Sequence, residues 1–251
     1  MDRIAIVSGA TSGIGLKIVE NFTSQGIFTI MLGRNEDKLK TIQKYLGKAV
    51  TSYRCQDLMD TDSIQPCILE IAEKYENIDI LVNCAGIGEF CSIEQLDIKK
   101  LKDIINTNLI GTIALTKAVA SIMVRRKKGQ IINIESIAAT KGFEYGAAYV
   151  ASKFGLAGFS QVLWSEMKKY EIKVCSIRPG LVNTDLFRNM HETHDLETAL
   201  EPDDIAYLVD MVVNQSEKSN ISIIEVRPIK KKAQNLFYKL VKNEEEYKRS
   251  K

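Results

Sequence analysis

The chain has 251 residues, 45% of them hydrophobic and 26% charged, with a formal net charge of +2. That balance excludes a disordered composition and allows a sizeable core, and it provides no global field to recruit nucleic acid or acidic partners. Five scattered cysteines, Cys55, Cys67, Cys84, Cys91 and Cys175, show no metal-like spacing, and the N-terminus has no signal-like apolar stretch. Reduced thiols and a cytoplasmic location are therefore expected.

Short apolar runs at 4–8, 28–32, 50–55, 78–83, 130–134, 173–177 and 222–226 alternate with helical patterns at 14–25, 36–46, 61–75, 99–125, 147–169 and 203–214. Strands and helices that alternate in this way predict an α/β protein with a parallel sheet covered on both faces. Right-handed crossovers make such a sheet doubly wound, and its ligands bind beyond the carboxyl ends of the strands. No uninterrupted apolar run reaches about 18 residues, so no transmembrane segment is expected. No repeat, linker or shift in composition divides residues 1–228, which are read as one domain.

The first strand leads into Ser8-Gly9-Ala10-Thr11-Ser12-Gly13-Ile14-Gly15 and then a helix. Glycines between a strand and a helix let the backbone turn tightly and approach a pyrophosphate, whose charge the helix N-terminus binds. The spacing is Gly-x-x-x-Gly-x-Gly and not the Gly-x-Gly-x-x-Gly of the common dinucleotide fingerprint. The second strand ends at Gly33-Arg34-Asn35. A carboxylate there would bond the 2′-hydroxyl of NAD, whereas an arginine pairs with the 2′-phosphate of NADP, so NADP is preferred over NAD. Asn35 suits an N-cap, and Glu36 and Asp37 suit a first helical turn.

Further on stand Ser136, Tyr149 and Lys153. One helical turn separates Tyr149 from Lys153, which puts both on one face. An ammonium beside a phenol favours the phenolate, so Tyr149 is expected below its ordinary pKa of about 10 and usable as a proton donor and acceptor. The pair alone identifies nothing, because Tyr238/Lys242 and Tyr247/Lys251 repeat the spacing.

The ordered set resembles the classical branch of the short-chain dehydrogenase/reductase family over about residues 3–228. Residues 8–15 match its Thr-Gly-x-x-x-Gly-x-Gly motif with serine first. Asp57-Leu58 matches the acidic position after the third strand, Asn83-Cys84-Ala85-Gly86 matches Asn-Asn-Ala-Gly, and Asn108 with Gly111 matches the helix asparagine. Ser136, Tyr149 and Lys153 complete the tetrad, and Pro179-Gly180 with Val182 and Thr184 matches the nicotinamide segment.

The resemblance implies a Rossmann fold with seven parallel strands and a hydride transfer between NADPH and a carbonyl or secondary alcohol. Asn108, Ser136, Tyr149 and Lys153 are then catalytic, with Asn108 positioning a water. Gly9, Thr11, Ser12, Gly13, Ile14, Gly15, Arg34, Asp57, Leu58, Asn83, Ala85, Gly86, Tyr149, Lys153, Pro179, Gly180, Val182 and Thr184 bind the cofactor. Ile137, Phe143, Leu181, Leu186, Phe187 and Met190 line the substrate pocket, residues 185–201 form its lid, and Lys141, Arg188 and His191 are the alternatives for capturing a carboxylate.

A homotetramer through the helices of Asn108 and Tyr149 is implied, with a dimer second. The subgroup resemblance is to 3-hydroxy acid dehydrogenases and carbonyl reductases, and a hydroxysteroid dehydrogenase fits the same apolar pocket. An NADP-sensing scaffold is the reading from a different class, which loss of a tetrad member would favour.

Two residues depart from the family pattern. Cys84 replaces an asparagine and is expected to act as a small hydrophobe. Glu135 stands where serine or alanine is usual, and strand alternation turns it away from Ser136. His191 and His194 lack cysteine or carboxylate partners, so no metal is expected. Residues 229–251 carry eight lysines and arginines against three glutamates, a charge of +5, and read as a basic helical extension.

Overall fold

The computed structural model of the protein describes residues 3–188, 196 and 198–229, with backbone alone at 187 and 188. Seven parallel strands form one sheet: β1 (Ile4–Ser8), β2 (Phe28–Gly33), β3 (Thr51–Cys55), β4 (Ile80–Asn83), β5 (Gly129–Ile134), β6 (Ile172–Pro179) and β7 (Ile223–Val226). Their order is β3-β2-β1-β4-β5-β6-β7, so the winding reverses between β1 and β4. A doubly wound sheet opens its binding crevice at that reversal. The central strands are buried on both sides, which is why they read as continuous apolar runs and not as alternating ones.

Each strand feeds two cores. From β1, Ile4 and Ile6 pack with α3 (Thr61–Tyr75) and α5 (Thr112–Arg126), through Ile64, Ile68, Leu115 and Val119. Ala5 and Val7 turn to the other face, against Ile18 and Phe22 of α1 (Gly13–Ser24) and Ile205 and Val209 of α8 (Pro202–Val213). Burying an isoleucine or phenylalanine of this kind is worth roughly 1.5–3 kcal/mol over leaving it exposed. Local signals set the helix starts. Asn35 caps α2 (Glu36–Leu46) by accepting from the Lys38 amide at 2.9 Å, and Glu201 with Asp204 forms a capping box at α8.

The helix expected over 99–125 runs from Ile98 to Arg126 with a π-helical turn inside it. α4 (Ile98–Ile105) passes into a π-helical turn, Asn106–Gly111, before α5 begins. A Cβ at Gly111 would strike the Leu58 carbonyl and lie 2.7 Å from the Leu58 side chain, so the helix presses directly on the loop after β3. The stretch Ile98–Arg126 is long and apolar enough to cross a membrane by composition, but 61% of its apolar window is buried in the fold, as in a core helix. The last long helix, α6 (Ala147–Met167), lies beside β5 and β6, and a short α7 (Asp185–Arg188) follows β6. The basic extension over 230–251 lies outside the described residues.

Candidate active site

The turn from β1 to α1 needs its glycines. Gly9 and Gly13 adopt φ of +67° and +51°, the left-handed region that favours glycine. A Cβ on Gly9 would lie 2.8 Å from the Ala85 backbone, and one on Gly15 would strike the Gly9 carbonyl. Ser8, in the motif's threonine position, accepts from the Cys84 and Ala85 amides at 3.1 and 3.2 Å and so pins the loop after β4 to β1. Among the described residues no side chain caps α1, and its first turn holds no acid, an arrangement that suits an anion.

Beyond these strand ends opens a cleft of about 480 Å³. Of the residues expected at a cofactor, Gly9, Thr11, Ser12, Gly13, Ile14, Gly15, Arg34, Asp57, Leu58, Ala85, Gly86, Tyr149, Lys153, Pro179, Gly180, Val182 and Thr184 line it. Asn83 does not. It is buried behind the cleft, where its Nδ2 donates to Thr116 Oγ1 and Asn133 Oδ1, both at 2.8 Å, and braces β4 against β5 and α5. Thr107 was not anticipated. Its hydroxyl is buried, its residue lines the cleft, and it has no partner among the described residues. A group bound in the cleft would satisfy it. The glycine cradle, the uncapped helix end and this orphan hydroxyl together fit a dinucleotide.

Ser136, Tyr149 and Lys153 line the same cleft. Ser136 starts a single 3₁₀ turn (Ile137–Ala139), and its Oγ accepts from the Ala138 amide at 3.1 Å. Lys153 Nζ donates to the Ile134 carbonyl at 3.0 Å and lies 5.7 Å from the centre of the Tyr149 ring. The expected fall in the Tyr149 pKa is reversed. Burial pushes the phenol up to about 12, with the Ser136 hydroxyl acting the other way, and burial takes Lys153 down to about 8. The ammonium is anchored on a backbone carbonyl, so desolvation outweighs attraction between the two groups.

Asn108 sits in the π turn. Its Oδ1 accepts from the Ile87 amide at 2.8 Å, and its Nδ2 donates to the Ile87 carbonyl at 2.8 Å and to Ser152 Oγ at 3.1 Å. Both amide protons are used within the protein. Oδ1 and Lys153 Nζ converge on the space beside Gly86, 3.5 and 3.9 Å from where a Cβ would stand.

Around Tyr149 the wall is apolar. Phe90, Ala138, Leu181 and Leu196 form a buried cluster with it, and Phe143, Tyr145 and Leu186 pack against them. Phe143, Leu181 and Leu186 thus lie beside Tyr149, and of the three Leu186 also lines the cleft. Ile137 stands outside this cluster and does not line the cleft, although Ala138 of the same 3₁₀ turn belongs to the cluster. Lys141 is exposed and away from the cleft. The side chains of Phe187 and Arg188, and all of Met190, His191 and His194, lie outside the described residues.

Phe90 is a residue that sequence reasoning missed. Its ring lies 5.6 Å from that of Tyr149 and 6.2 Å from that of Phe143. The only signal was an aromatic soon after the Ala85-Gly86 step. Its loop is tied to the entry of α6 by the Cys91 amide donating to the Tyr145 carbonyl at 2.9 Å, and Tyr145 has a φ of +65°.

Comparison with known proteins places the chain among enzymes of one kind. A family profile described as short chain dehydrogenase matches residues 3–195. An uncharacterized oxidoreductase of Staphylococcus saprophyticus is 32% identical over 231 residues, covering 91% of this chain and 98% of its own length. A metagenomic short-chain oxidoreductase solved in complex with NADP superposes with a TM-score of 0.80 at 30% identity, covering 91% of this chain and 98% of that one. Serine dehydrogenase from Escherichia coli does so with a TM-score of 0.80 at 30% identity, covering 89% and 96%.

Proposed function

Because the chain belongs to the short-chain dehydrogenase family, and is therefore an oxidoreductase of alcohol and carbonyl groups, we propose that it moves a hydride between NADPH and an apolar carbonyl or secondary alcohol. The observation that carries this reading is the meeting of Tyr149, Lys153 and Ser136 in one glycine-cradled cleft beside an apolar wall. When bound, the nicotinamide would supply the hydride.

Tyr149 gives its hydroxyl proton to the carbonyl oxygen during reduction and recovers it from the alcohol during oxidation. Its burial keeps the phenol protonated near neutral pH, the state that reduction needs. Ser136 receives the Ala138 amide on its oxygen and bonds the Tyr149 hydroxyl, and with substrate bound its proton would turn to the substrate oxygen where charge develops. Lys153 has two N–H groups left beyond its bond to Ile134, for ribose hydroxyls and for a proton relay. A water beside Gly86 would join Lys153 to the free lone pair of Asn108 Oδ1.

Arg34 is exposed and lines the cleft, which supports its assignment to the 2′-phosphate, and the metagenomic relative was solved in complex with NADP. The substrate lid expected over 185–201 lies mostly outside the described residues, and near its two ends Val182 bridges Leu200. A 3-hydroxy acid is the second substrate reading, favoured by the similarity to serine dehydrogenase. A scaffold that only senses NADP is disfavoured by an intact tetrad.

A panel of apolar ketones, hydroxysteroids and hydroxy acids, followed by NADPH absorbance in the wild type and in Arg34→Ala, tests the reading. Apolar ketones should turn over fastest. The variant should raise KM about tenfold or more for NADPH and little for NADH, as expected when a bidentate phosphate contact is lost. Turnover of hydroxy acids alone would replace the substrate assignment, and an unchanged ratio of cofactor KM values would move phosphate recognition elsewhere.

A further inference from the structure

Glu135 immediately precedes the serine of the site, yet its carboxylate is not in solvent: the residue is 3% exposed, and Arg178, its partner on β6, is 7% exposed. Arg178 Nε donates to Oε2 at 2.7 Å, and Ser176 Oγ donates to Oε1 at 2.7 Å. Ser160 Oγ stands 2.8 Å from Oε1 and shares its one proton with the Leu156 carbonyl at 2.9 Å, while accepting from Asn133 Nδ2 at 2.8 Å. Asn133 in turn accepts from Asn83. Glu135 therefore points with Asn133 to the α6 side of the sheet, toward a helix and not toward the cofactor phosphates.

The last residue of β5 and the one after it thus grip α6 at two points. Ile134 holds Lys153 through its carbonyl, and Glu135 holds Ser160, seven residues or about 10 Å further along the helix. Ser136 is the next residue. Burying two charges carries a desolvation penalty of several kcal/mol per ion, so stability alone is a weak reason for such a pair.

We propose that Glu135 is a positioning residue of the active site: its buried carboxylate locks the end of β5 to α6 and β6, so that Ser136 meets Tyr149, and it sets a negative charge, offset by Arg178, behind Lys153. The proposal rests on the catalytic reading of Tyr149 and Lys153. Of the pair, Glu135 is the group whose charge reaches Lys153 and favours its ammonium form. The other groups facing Lys153 are the Cys84 thiol after β4, kept neutral by burial, the neutral amide of Asn108 and Tyr149 itself. A negative charge disfavours the phenolate and favours the ammonium, so removing it lowers both pKa values.

The test is the pH profile of alcohol oxidation in Glu135→Gln, Arg178→Gln and the double variant, with Tyr149→Phe alongside. Glu135→Gln should shift the apparent pKa down by about half a unit, Arg178→Gln should shift it little, and the double should fall with Glu135→Gln. Glu135→Gln should also lower kcat about tenfold, through misplacement of Ser136, with little change in the NADPH KM. No downward shift in Glu135→Gln, or an equal downward shift in Arg178→Gln, would overturn the proposal. If neither single variant folds, the double decides: a lowered pKa supports the proposal, and a wild-type pKa and kcat would assign the pair to stability alone. Wild-type turnover in Tyr149→Phe would instead remove the catalytic reading beneath it.

Discussion

Lys153 brings a positive charge into a site where it is 5% exposed, and its folded pKa falls from the ordinary 10.5 to about 8. Below pH 8 the ammonium is charged in both the folded and unfolded chain, so the folded state bears the full desolvation penalty. Between pH 8 and about 10 the folded chain has released a proton that the unfolded chain still holds, so stability rises with pH. Above about 10 Tyr149, held up to about 12, reverses the trend because the unfolded phenol ionises first. At neutral pH the penalty is up to about 3 kcal/mol, and the lost bond to Ile134 would offset about 1. Lys153→Met should therefore stabilise the protein by about 1–2 kcal/mol, a few degrees in Tm, while abolishing turnover. Thermal melts at pH 7 without added nucleotide read this directly; a lower Tm would mean that the ammonium is better solvated or paired than its burial indicates.

Elements differ in how far their sequence discloses them. The strands, the helices and the glycine cradle were legible because each is local: apolar runs, Asn35 at a cap, and glycines where φ must be positive. The identity of the working tyrosine was legible only from the order of several motifs, since two other pairs share its spacing. The π turn was not legible, because it depends on Gly111 meeting Leu58 from a distant loop, and it is what buries Thr107 and directs Asn108 at Ile87. Phe90 was hidden for the same reason. The fall predicted for the Tyr149 pKa failed because helical spacing fixes which residues are neighbours, but not whether burial or the neighbouring charge prevails. Glu135 was visible as a departure, and its partners Ser160, Ser176 and Arg178 became apparent only when α6 and β6 were placed beside β5.

At the scale of the whole molecule, α6 has two faces. One carries Tyr149 and Lys153 inward. The other leaves Phe154 and Val162 45% and 56% exposed, with Gly158, open on its outer side, midway between them. Ile110, on the neighbouring π turn, is also exposed. Such a face suits close packing of a second copy, and we propose that a homotetramer forms through it, with a dimer as the second reading. Light scattering of the intact protein should give a tetramer that Val162→Glu reduces to smaller species, and a wild-type monomer would refute it. Packing there would stiffen the helix that holds the site.

The central claim is that Tyr149 moves the proton. Its most direct test compares turnover and NADPH binding in Tyr149→Phe with the wild type, using the best ketone of the panel for turnover and fluorescence titration for binding. The account predicts turnover lower by about a thousandfold or more, with the Kd for NADPH within about threefold of the wild type. Turnover within about tenfold of the wild type, with the same Kd, would contradict it.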